Sequence, residues 1–388
     1  LLRRGGQLQP VSWNEAFTAL QKAHAGVPPQ RVAGVLGNAQ AAEEIYAFKA
    51  FLTTILGTPN LDCRAAGATF VPQHRCSYIL NTPLPAMATA DVILLVGTNP
   101  RLEAPLLNLR LRQAVTKRGA QVFNLGPAVD LTYPVTELGD QAAVGLAALA
   151  QPQHPVQRAL AQAQRPLVII GGAVLNRPDG PHILAALEAV AQTVGTVITP
   201  TWQGFNVLPL HAGRVAAFDL GFVPGQGGMS TASMIAAAKA GQLDVLWLYG
   251  EGKAPEAVCG QGAKTTVFIG THHSPLAAQA DIVLPAAAHT EKQAWWTNAE
   301  GRVQNAQAAV LPPLQAKEDW KIFRAVSAVL GQPLPFDHLT DLRRLLAQHS
   351  QPYAAVEVRL PAPWQPSGVA GPVADTPFVP AITAFYQT

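Results

Sequence analysis

Apolar segments of strand length recur along this chain, and each is followed by a segment whose apolar residues have helical spacing. The run DVILLVG at 91–97 is nearly all apolar and ends in glycine, and QVFNL at 121–125 follows a helical stretch at 102–118. Such runs are typical of strands buried on both faces of a parallel sheet. A strand, a helix and a second strand in this order favour a right-handed parallel unit. The sequence therefore predicts an α/β fold.

The second half of the chain repeats this alternation, with strand-like runs at 166–171, 196–199, 244–250, 265–270 and 281–284. The segment at 151–164 is rich in Gln and Pro, as expected of a boundary or an exposed helix. We predict two doubly wound, mostly parallel lobes at 1–150 and 165–345, joined by a linker at 151–164. The proline-rich stretch at 346–388 predicts an extended, wrapping or poorly ordered tail.

Composition excludes several classes of protein. The 388 residues are 49% hydrophobic, which argues against a disordered chain. Lys and Arg number 27 against 24 Asp and Glu, so the net charge of +3 does not indicate nucleic-acid binding. No apolar stretch reaches the roughly 18–20 residues that span a bilayer, so no membrane insertion is predicted. Charged residues are only 13%, which indicates that part of the surface faces a partner.

Cysteine and histidine positions do not indicate a metal site. Cys63, Cys76 and Cys259 are scattered and form neither a CxxC pair nor a four-thiolate set. His272 and His273 are adjacent, so on a strand their side chains point to opposite faces. A zinc site needs three or four converging ligands, and no Cys, Asp or Glu lies within a few residues of this pair. We therefore predict no metal site, and no GxSxG motif indicates a catalytic nucleophile.

Two turns that follow apolar strands are candidate ligand-binding loops. Gly97 and Asn99 follow one strand, and Gly171 and Gly172 end another. The carboxyl ends of parallel strands are where α/β sheets bind phosphates and nucleotides. Neither turn forms GxGxxG or GxxxxGK[ST]. A tight turn that lets a helix pack on the sheet is therefore the competing interpretation.

The segment TEKQAWWTNAEGRVQ at 290–304 is the most concentrated polar stretch in this charge-poor chain. Such a loop often orders itself by charge-assisted hydrogen bonds, which favours a structural role. Trp295 and Trp296 add a large apolar area of the kind found at interface centres, so partner docking is the second interpretation.

Several motifs together resemble a known family. The opening RRGGQL, followed by PVSWNEA, is similar to the start of the molybdopterin oxidoreductase fold. DVILLVGTNPR resembles, more specifically, the large iron–sulfur subunit of respiratory complex I, also called the 75 kDa subunit. The residues that carry the resemblance are Cys63, Arg64, Gly97, Asn99, Pro100, Arg101, Glu103, Glu291, Lys292, Asn298, Glu300, Gly301, Arg302, Gln304 and Trp320.

This resemblance implies a molybdopterin oxidoreductase-like fold and a scaffold role in the peripheral arm of NADH:quinone oxidoreductase. That complex passes electrons from NADH through FMN and iron–sulfur clusters to quinone and translocates protons. In the family, an upstream region that is not among these residues binds the [2Fe–2S] and [4Fe–4S] clusters, so we expect no cofactor or catalytic centre in this chain. The implied partners are other peripheral-arm subunits. The implied location is the cytoplasmic face of a bacterial inner membrane or the matrix side of the mitochondrial one.

An active molybdopterin-dependent oxidoreductase, similar to formate dehydrogenase, is the alternative. In such relatives the segment similar to 57–70 places the metal's Cys, selenocysteine or Ser ligand near Gly67 and Ala68, which have no ligating side chain. We therefore expect a vestigial pterin cleft. Its candidate residues are Gly67, Ala68, Gly97, Asn99, Gly171 and Gly172. The strand PLVIIGG also resembles the central domain of thiamine-diphosphate enzymes, but the GDG motif that binds the diphosphate is missing from the sequence.

Overall fold

The structure, a computed structural model, describes residues 1–379 and 381–382. Most of the predicted strands are present within one or two residues of their expected bounds. The strands, in chain order, are β1 Leu2–Arg4, β2 Gln7–Gln9, β3 Val32–Leu36, β4 Leu61–Asp62, β5 Val92–Val96, β6 Gln121–Leu125, β7 Thr136–Glu137, β8 Pro166–Gly171, β9 Ile198–Thr199, β10 Trp202–Gln203, β11 Phe205–Leu208, β12 Val245–Tyr249, β13 Thr265–Gly270, β14 Ile282–Pro285, β15 Ala294–Thr297 and β16 Val303–Ala306.

The helices follow the strands as the alternating pattern predicts. In chain order they are α1 Trp13–His24, α2 Ala42–Ala50, α3 Leu84–Met87, α4 Pro100–Glu103, α5 Pro105–Arg118, α6 Ala142–Leu149, α7 Pro155–Gln162, α8 Gly180–Val194, α9 Arg214–Asp219, α10 Thr231–Lys239, α11 Lys253–Val258, α12 Pro275–Gln279, α13 Asp319–Val329 and α14 Leu339–His349. Within the described residues, no helix has both the length and the apolar character needed to cross a bilayer.

The chain folds into two compact units that interleave along the sequence. Unit 1 comprises Leu1–Gly67, His211–Asn298 and Arg302–Arg359, and unit 2 comprises Ala68–Leu210, Ala299–Gly301 and Leu360–Thr388. This division corrects the predicted sequential lobes at 1–150 and 165–345. The physical reason is strand pairing across the predicted boundary, because β3 pairs with β12 in one sheet and β5 pairs with β8 in the other.

The predicted linker and tail also have different bounds in the structure. The linker at 151–164 contains α7 and lies inside unit 2. The predicted tail start at 346 falls within α14, where Leu346 is fully buried, and the segment assigned to unit 2 begins only at Leu360. Residues 380 and 383–388 of the predicted tail lie outside the described residues.

Unit 1 is built on a sheet with the strand order β2-β1-β14-β13-β12-β3-β4. The strands from β14 to β4 pair in parallel, and β1 and β2 add an antiparallel edge. β3 and β12 are buried along their whole length, as their continuous apolar sequences predict. The chain continues from β3 to β4 on one side of this pair, and from β12 to β13 and β14 on the other side. The boundary between β3 and β12 is therefore the topological switch point of this sheet.

Unit 2 contains a parallel sheet with the order β11-β8-β5-β6-β7. β5 and β8 lie at its centre and are fully buried. The chain passes from β5 outward through β6 to β7, and from β8 outward to β11, so the switch point lies between β5 and β8. The expected helix at 102–118 is two helices, because Pro105 begins α5 after Ala104 has left helical geometry. The α/β class with mostly parallel sheets is confirmed.

Candidate functional site

The carboxyl ends of β5 and β8 meet closely at the switch point of unit 2. Gly97 follows β5 with a φ of 58°, and Gly171 ends β8. A Cβ atom on Gly171 would lie 2.3 Å from the Gly97 carbonyl oxygen, and one on Gly172 would lie 2.7 Å from the Leu208 carbonyl oxygen. The structure thus brings these three predicted glycines together, and their missing side chains allow the close approach of the strand ends.

The ring of Phe378 covers this edge. A Cβ atom on Gly97 would lie 3.0 Å from Cδ1 of Phe378 and 2.5 Å from Cγ2 of Val174. Phe378 is only 3% exposed, and the Arg177 guanidinium carbon lies 5.4 Å from the centroid of its ring. The crevice above Gly97, where a sheet of this topology binds ligands, is therefore filled by the chain's own C-terminal segment.

The loop after Gly97 uses its polar groups to hold its own shape. Glu103 accepts hydrogen bonds from the Asn99 backbone N–H at 2.8 Å and the Thr98 hydroxyl at 2.9 Å. Burial raises the pKa of Glu103, and these two bonds counteract part of that shift. Asn99 caps α4, in which Pro100 is the first residue, by accepting from the Arg101 backbone N–H, and the Arg101 guanidinium pairs with Asp130. Asn99, Arg101 and Glu103 thus take part in contacts that hold the loop, and the structural role of the family residues stays a prediction.

Cys63 and Arg64 belong to a buried link in unit 1. Arg64 pairs with Asp62 at 2.9 Å, and Asp62 also accepts from the backbone N–H of Thr231 at the start of α10. Cys63 is fully buried, and this burial raises the pKa of its thiol. A high pKa disfavours the thiolate that nucleophilic or metal-ligating chemistry requires.

The remaining cleft residues supply no metal ligand. Gly67 has a φ of 90° and closes the first segment of unit 1, and Ala68 is a buried residue of unit 2. Among the described residues, no group of three or more His, Cys, Asp or Glu side chains is arranged to hold a metal ion.

A cavity of about 440 Å³ lies at the carboxyl end of the unit 1 sheet. Its walls come from the loops after β3, β12, β13 and β14. These loops contribute, in that order, the lining residues Gln40, Glu251, His272 and His289. Lys292, Tyr249, Asp319 and Trp296 complete the lining. Lys292 was predicted as a family residue but not as part of a cavity.

Lys292 is the centre of a buried ionic cluster beside this cavity. Its ammonium group contacts the carboxylates of Glu44 and Asp319, the second at 2.8 Å. Glu44 also accepts from the Tyr249 hydroxyl at 2.9 Å and from the Ala41 backbone N–H at 3.0 Å. All four side chains in the cluster are less than a tenth exposed.

The cluster divides its charge unequally. Burial and the neighbouring Glu44 carboxylate raise the pKa of Asp319 to about 8. Burial alone would lower the pKa of Lys292, but the two carboxylates reverse this effect and raise it. Burial and Glu44 thus favour the protonated form of Asp319, and the two carboxyl groups favour the charged form of Lys292. Consecutive Glu43 and Glu44 at the start of a mostly apolar helix were the sequence signal that could have revealed the cluster.

The polar segment at 290–304 forms a hairpin of β15 and β16. Asn298 and Arg302 close its turn with backbone and side-chain hydrogen bonds of 2.9 Å. Gly301 has a φ of 77°, and Gln304 lies exposed opposite Trp296. Glu291 accepts from the Ala288 backbone N–H at 2.8 Å.

The tip of the hairpin belongs to unit 2, where Glu300 accepts from the Leu84 backbone N–H at 2.7 Å and Arg75 donates to the Gly301 carbonyl. In unit 1 the Arg343 guanidinium lies over the ring of Trp295, and the Trp320 indole N–H donates to Glu318. These contacts support the structural interpretation of the segment.

The chain is similar in sequence to several subunits of NADH dehydrogenases. The chain is 34% identical to NADH dehydrogenase [ubiquinone] iron-sulfur protein 1 of Solanum tuberosum, over 99% of this chain and 50% of the relative. It is 34% identical to the NADH-ubiquinone oxidoreductase 75 kDa subunit of Reclinomonas americana and 35% identical to the 78 kDa subunit of Neurospora crassa, over 88% and 92% of this chain. It spans about half the length of these relatives.

Solved structures share the fold at lower identity. The formyltransferase/hydrolase complex of Methylorubrum extorquens aligns with a TM-score of 0.61 at 18% identity, over 85% of this chain and 98% of the other. Acetylene hydratase of Pelobacter acetylenicus aligns with a TM-score of 0.58 at 14% identity, over 84% and 60%. The family profile described as "Molybdopterin oxidoreductase" matches residues 1–329, which is well over half of the chain. The chain therefore belongs to the molybdopterin oxidoreductase family.

Proposed function

We propose that this chain is the molybdopterin oxidoreductase-like portion of a complex I large iron–sulfur subunit and serves as a scaffold in the peripheral arm. The observation that carries this proposal is the 34% identity that extends over 99% of the chain to a mitochondrial iron–sulfur subunit. The low proportion of charged residues, 13%, also fits a body with faces covered by other subunits.

In this proposal the activity belongs to the whole complex, which transfers electrons from NADH through FMN and iron–sulfur clusters to quinone. The clusters are held outside this chain, in the part of the subunit that the chain does not span. The chain contacts other peripheral-arm subunits. It lies at the cytoplasmic face of the bacterial inner membrane or on the matrix side of the mitochondrial one, without inserting into the bilayer.

The family name implies a molybdopterin cofactor, and the residues of this chain do not fit one. The crevice of unit 2 at Gly97 is filled by the ring of Phe378, which is almost completely buried. Gly67 and Ala68, which the family resemblance places near the metal, have no side-chain atom that can ligate molybdenum or tungsten. The proposed scaffold role therefore includes no chemical step through this group.

Affinity purification from the source organism tests this function. The tagged chain, extracted from membranes with mild detergent, should co-purify with the other peripheral-arm subunits of NADH dehydrogenase, identified by mass spectrometry against an untagged strain. Elemental analysis of the same sample should find molybdenum and tungsten far below one atom per chain. Stoichiometric molybdenum or tungsten, or a purified chain that is free of peripheral-arm subunits, would show the proposal to be wrong.

A further inference from the structure

The described C-terminal segment of unit 2, residues 360–379, has an extended course and is attached to unit 2 at several successive points. We call this segment the strap. The unit 2 side chains that hold it are Cys76, Glu188, His182, Asp179 and Arg177. Most of these contacts go to backbone atoms of the strap. The groove therefore recognises an extended backbone more than a particular side-chain sequence.

The first half of the strap is held by a buried carboxylate. Glu188, which is 4% exposed, accepts from the backbone N–H groups of Ser367 at 2.8 Å and Gly368 at 2.9 Å, one on each oxygen. A Cβ atom on Gly368 would lie 2.2 Å from the backbone nitrogen of Ala185, so only glycine passes α8 at this distance. The Cys76 sulfur lies 3.3 Å from both the backbone nitrogen and the carbonyl oxygen of Gln365.

The second half is held by an ion pair. Arg177 and Asp179 pair at 2.7 Å, and Asp179 accepts from the backbone N–H of Ala374 at 2.9 Å. Arg177 donates to the carbonyl oxygen of Pro377 at 3.0 Å and to the hydroxyl of Thr376 at 2.7 Å. The two side chains thus hold each other in position. Asp179 binds an N–H group of the strap backbone, and Arg177 binds a carbonyl oxygen of the strap backbone.

The strap then places Phe378 at the switch point. Its backbone N–H donates to the Asp140 carbonyl at 2.8 Å, and its ring packs over Gly97 at the end of β5, beside Val174. Arg177 lies against the face of this ring. The ring and the guanidinium thus lie together at the carboxyl end of two central parallel strands. A bound ligand with an aromatic ring and an anionic group would place its ring beside a cation in the same arrangement.

We propose that the strap is a tethered ligand of unit 2 and that Phe378 keeps the switch-point crevice closed to soluble nucleotides and other anionic aromatic molecules. A tethered segment has an effective concentration on the order of millimolar, so a free ligand has to compete with a high local concentration of the strap. In this proposal the residues of unit 2 do not fit the family's cofactor because a covalently attached segment of the same chain occupies the site.

Hydrogen–deuterium exchange of the full chain tests the seating of the strap. Peptides within 364–379 should exchange far more slowly than an unstructured peptide, and Phe378→Ala should raise exchange at 372–379 by at least about tenfold. Val379→Ala, which alters an exposed neighbour, should leave exchange unchanged. Strap exchange at the rate of an unstructured peptide in the wild type, or no change in Phe378→Ala, would overturn the proposal.

The closing of the crevice has a separate readout, the saturable binding of the anionic aromatic dye 8-anilinonaphthalene-1-sulfonate. Phe378→Ala should bind the dye with several-fold higher fluorescence than the wild type and Val379→Ala, while peptides from β5 and β8 keep their exchange protection. Arg177→Ala provides a second variant that releases the strap without changing the ring. Its strap should exchange faster, and adding this change to Phe378→Ala should weaken dye binding. Equal dye binding by the wild type and Phe378→Ala would show that the ring does not close the crevice.

Discussion

The two parallel sheets have the same kind of switch point, but their carboxyl edges differ. In unit 1 the edge between β3 and β12 opens into a cavity of about 440 Å³, beside which lies the buried cluster centred on Lys292. In unit 2 the edge between β5 and β8 is covered by Phe378. One edge keeps open space and internally paired charges, and the other is filled by an apolar ring. Strand topology therefore fixes where a site can lie, and the residues at the edge decide whether it is open.

The difference also concerns how each edge is stabilised. The unit 1 cluster depends on a lysine buried together with two carboxyl groups, so the loss of that cation leaves buried carboxyl groups without compensation. The unit 2 edge depends on close packing of glycine backbones beneath a ring, so it is sensitive to added volume. Substitutions at the unit 1 edge should therefore destabilise the fold through buried charge without a partner, and substitutions at the unit 2 edge through steric overlap.

The largest effect is expected from Lys292→Met. The substitution leaves Glu44 and Asp319 buried without their cation, so the free energy of unfolding should fall by about 3–5 kcal/mol. Urea denaturation at pH 7 measures it. Lys239→Met, at an exposed lysine of α10, is the matched control and should change stability by less than about 0.5 kcal/mol. Similar small losses in both variants would mean that the Lys292 cluster is not buried as described.

Gly171→Ala should produce the next largest loss, and it acts on the other edge. The added Cβ atom would meet the Gly97 carbonyl oxygen at 2.3 Å, which requires β5 and β8 to move apart. We expect a loss of about 3 kcal/mol in a urea titration. Gly119→Ala is the comparison, because its φ of 71° imposes backbone strain in open space and should cost only about 1 kcal/mol. Equal losses would contradict close packing at the unit 2 edge.

The main effect of Asp319→Asn should be on the pH dependence of the free energy of unfolding. Its effect on that free energy at low pH should be smaller. The folded-state pKa of about 8 exceeds the ordinary value of an aspartate, so between these two values only the unfolded state has released this proton. Wild-type stability should therefore fall relative to Asp319→Asn as pH rises from 5 to 8, by up to about 1.4 kcal/mol per pH unit.

Urea titrations at four pH values across that range measure the difference. Asp337→Asn, at a side chain that is 71% exposed, serves as the control and should track the wild type. A constant difference between Asp319→Asn and the wild type across the range would show that Asp319 is ionised in the folded state.

Local sequence patterns predicted most of the strands, because a continuous apolar run such as VLWLY is compatible only with a buried element. They did not predict the division into units, since the pairing of β3 with β12 joins residues that are more than two hundred positions apart. Lobes that are continuous in sequence were the simplest expectation. The actual sheets require crossovers that no local pattern encodes.

The candidate site shows the same limit. The glycines at Gly97 and Gly171 were predictable, because strand ends in such sheets need close approach. The ring that covers them was not, because Phe378 comes from a proline-rich segment without periodicity. Lys292 was recognisable as a family residue, but its partners Glu44 and Asp319 lie on helices far apart in the sequence.

The smallest effect is expected from Glu103→Ala, which tests whether the loop beneath the strap is structural. The substitution leaves the Asn99 N–H and the Thr98 hydroxyl without their acceptor, so stability should fall by about 1–2 kcal/mol. Because Glu103 holds the loop and does not contact Phe378 through these bonds, the strap should keep its hydrogen-exchange protection. Thr116→Ala, which removes an exposed helix hydroxyl in α5, is the control for the loss of a single side-chain bond. If Glu103→Ala releases the strap as fully as Phe378→Ala does, the loop and the ring form one cooperative unit, and the closed edge depends on charge as well as on packing.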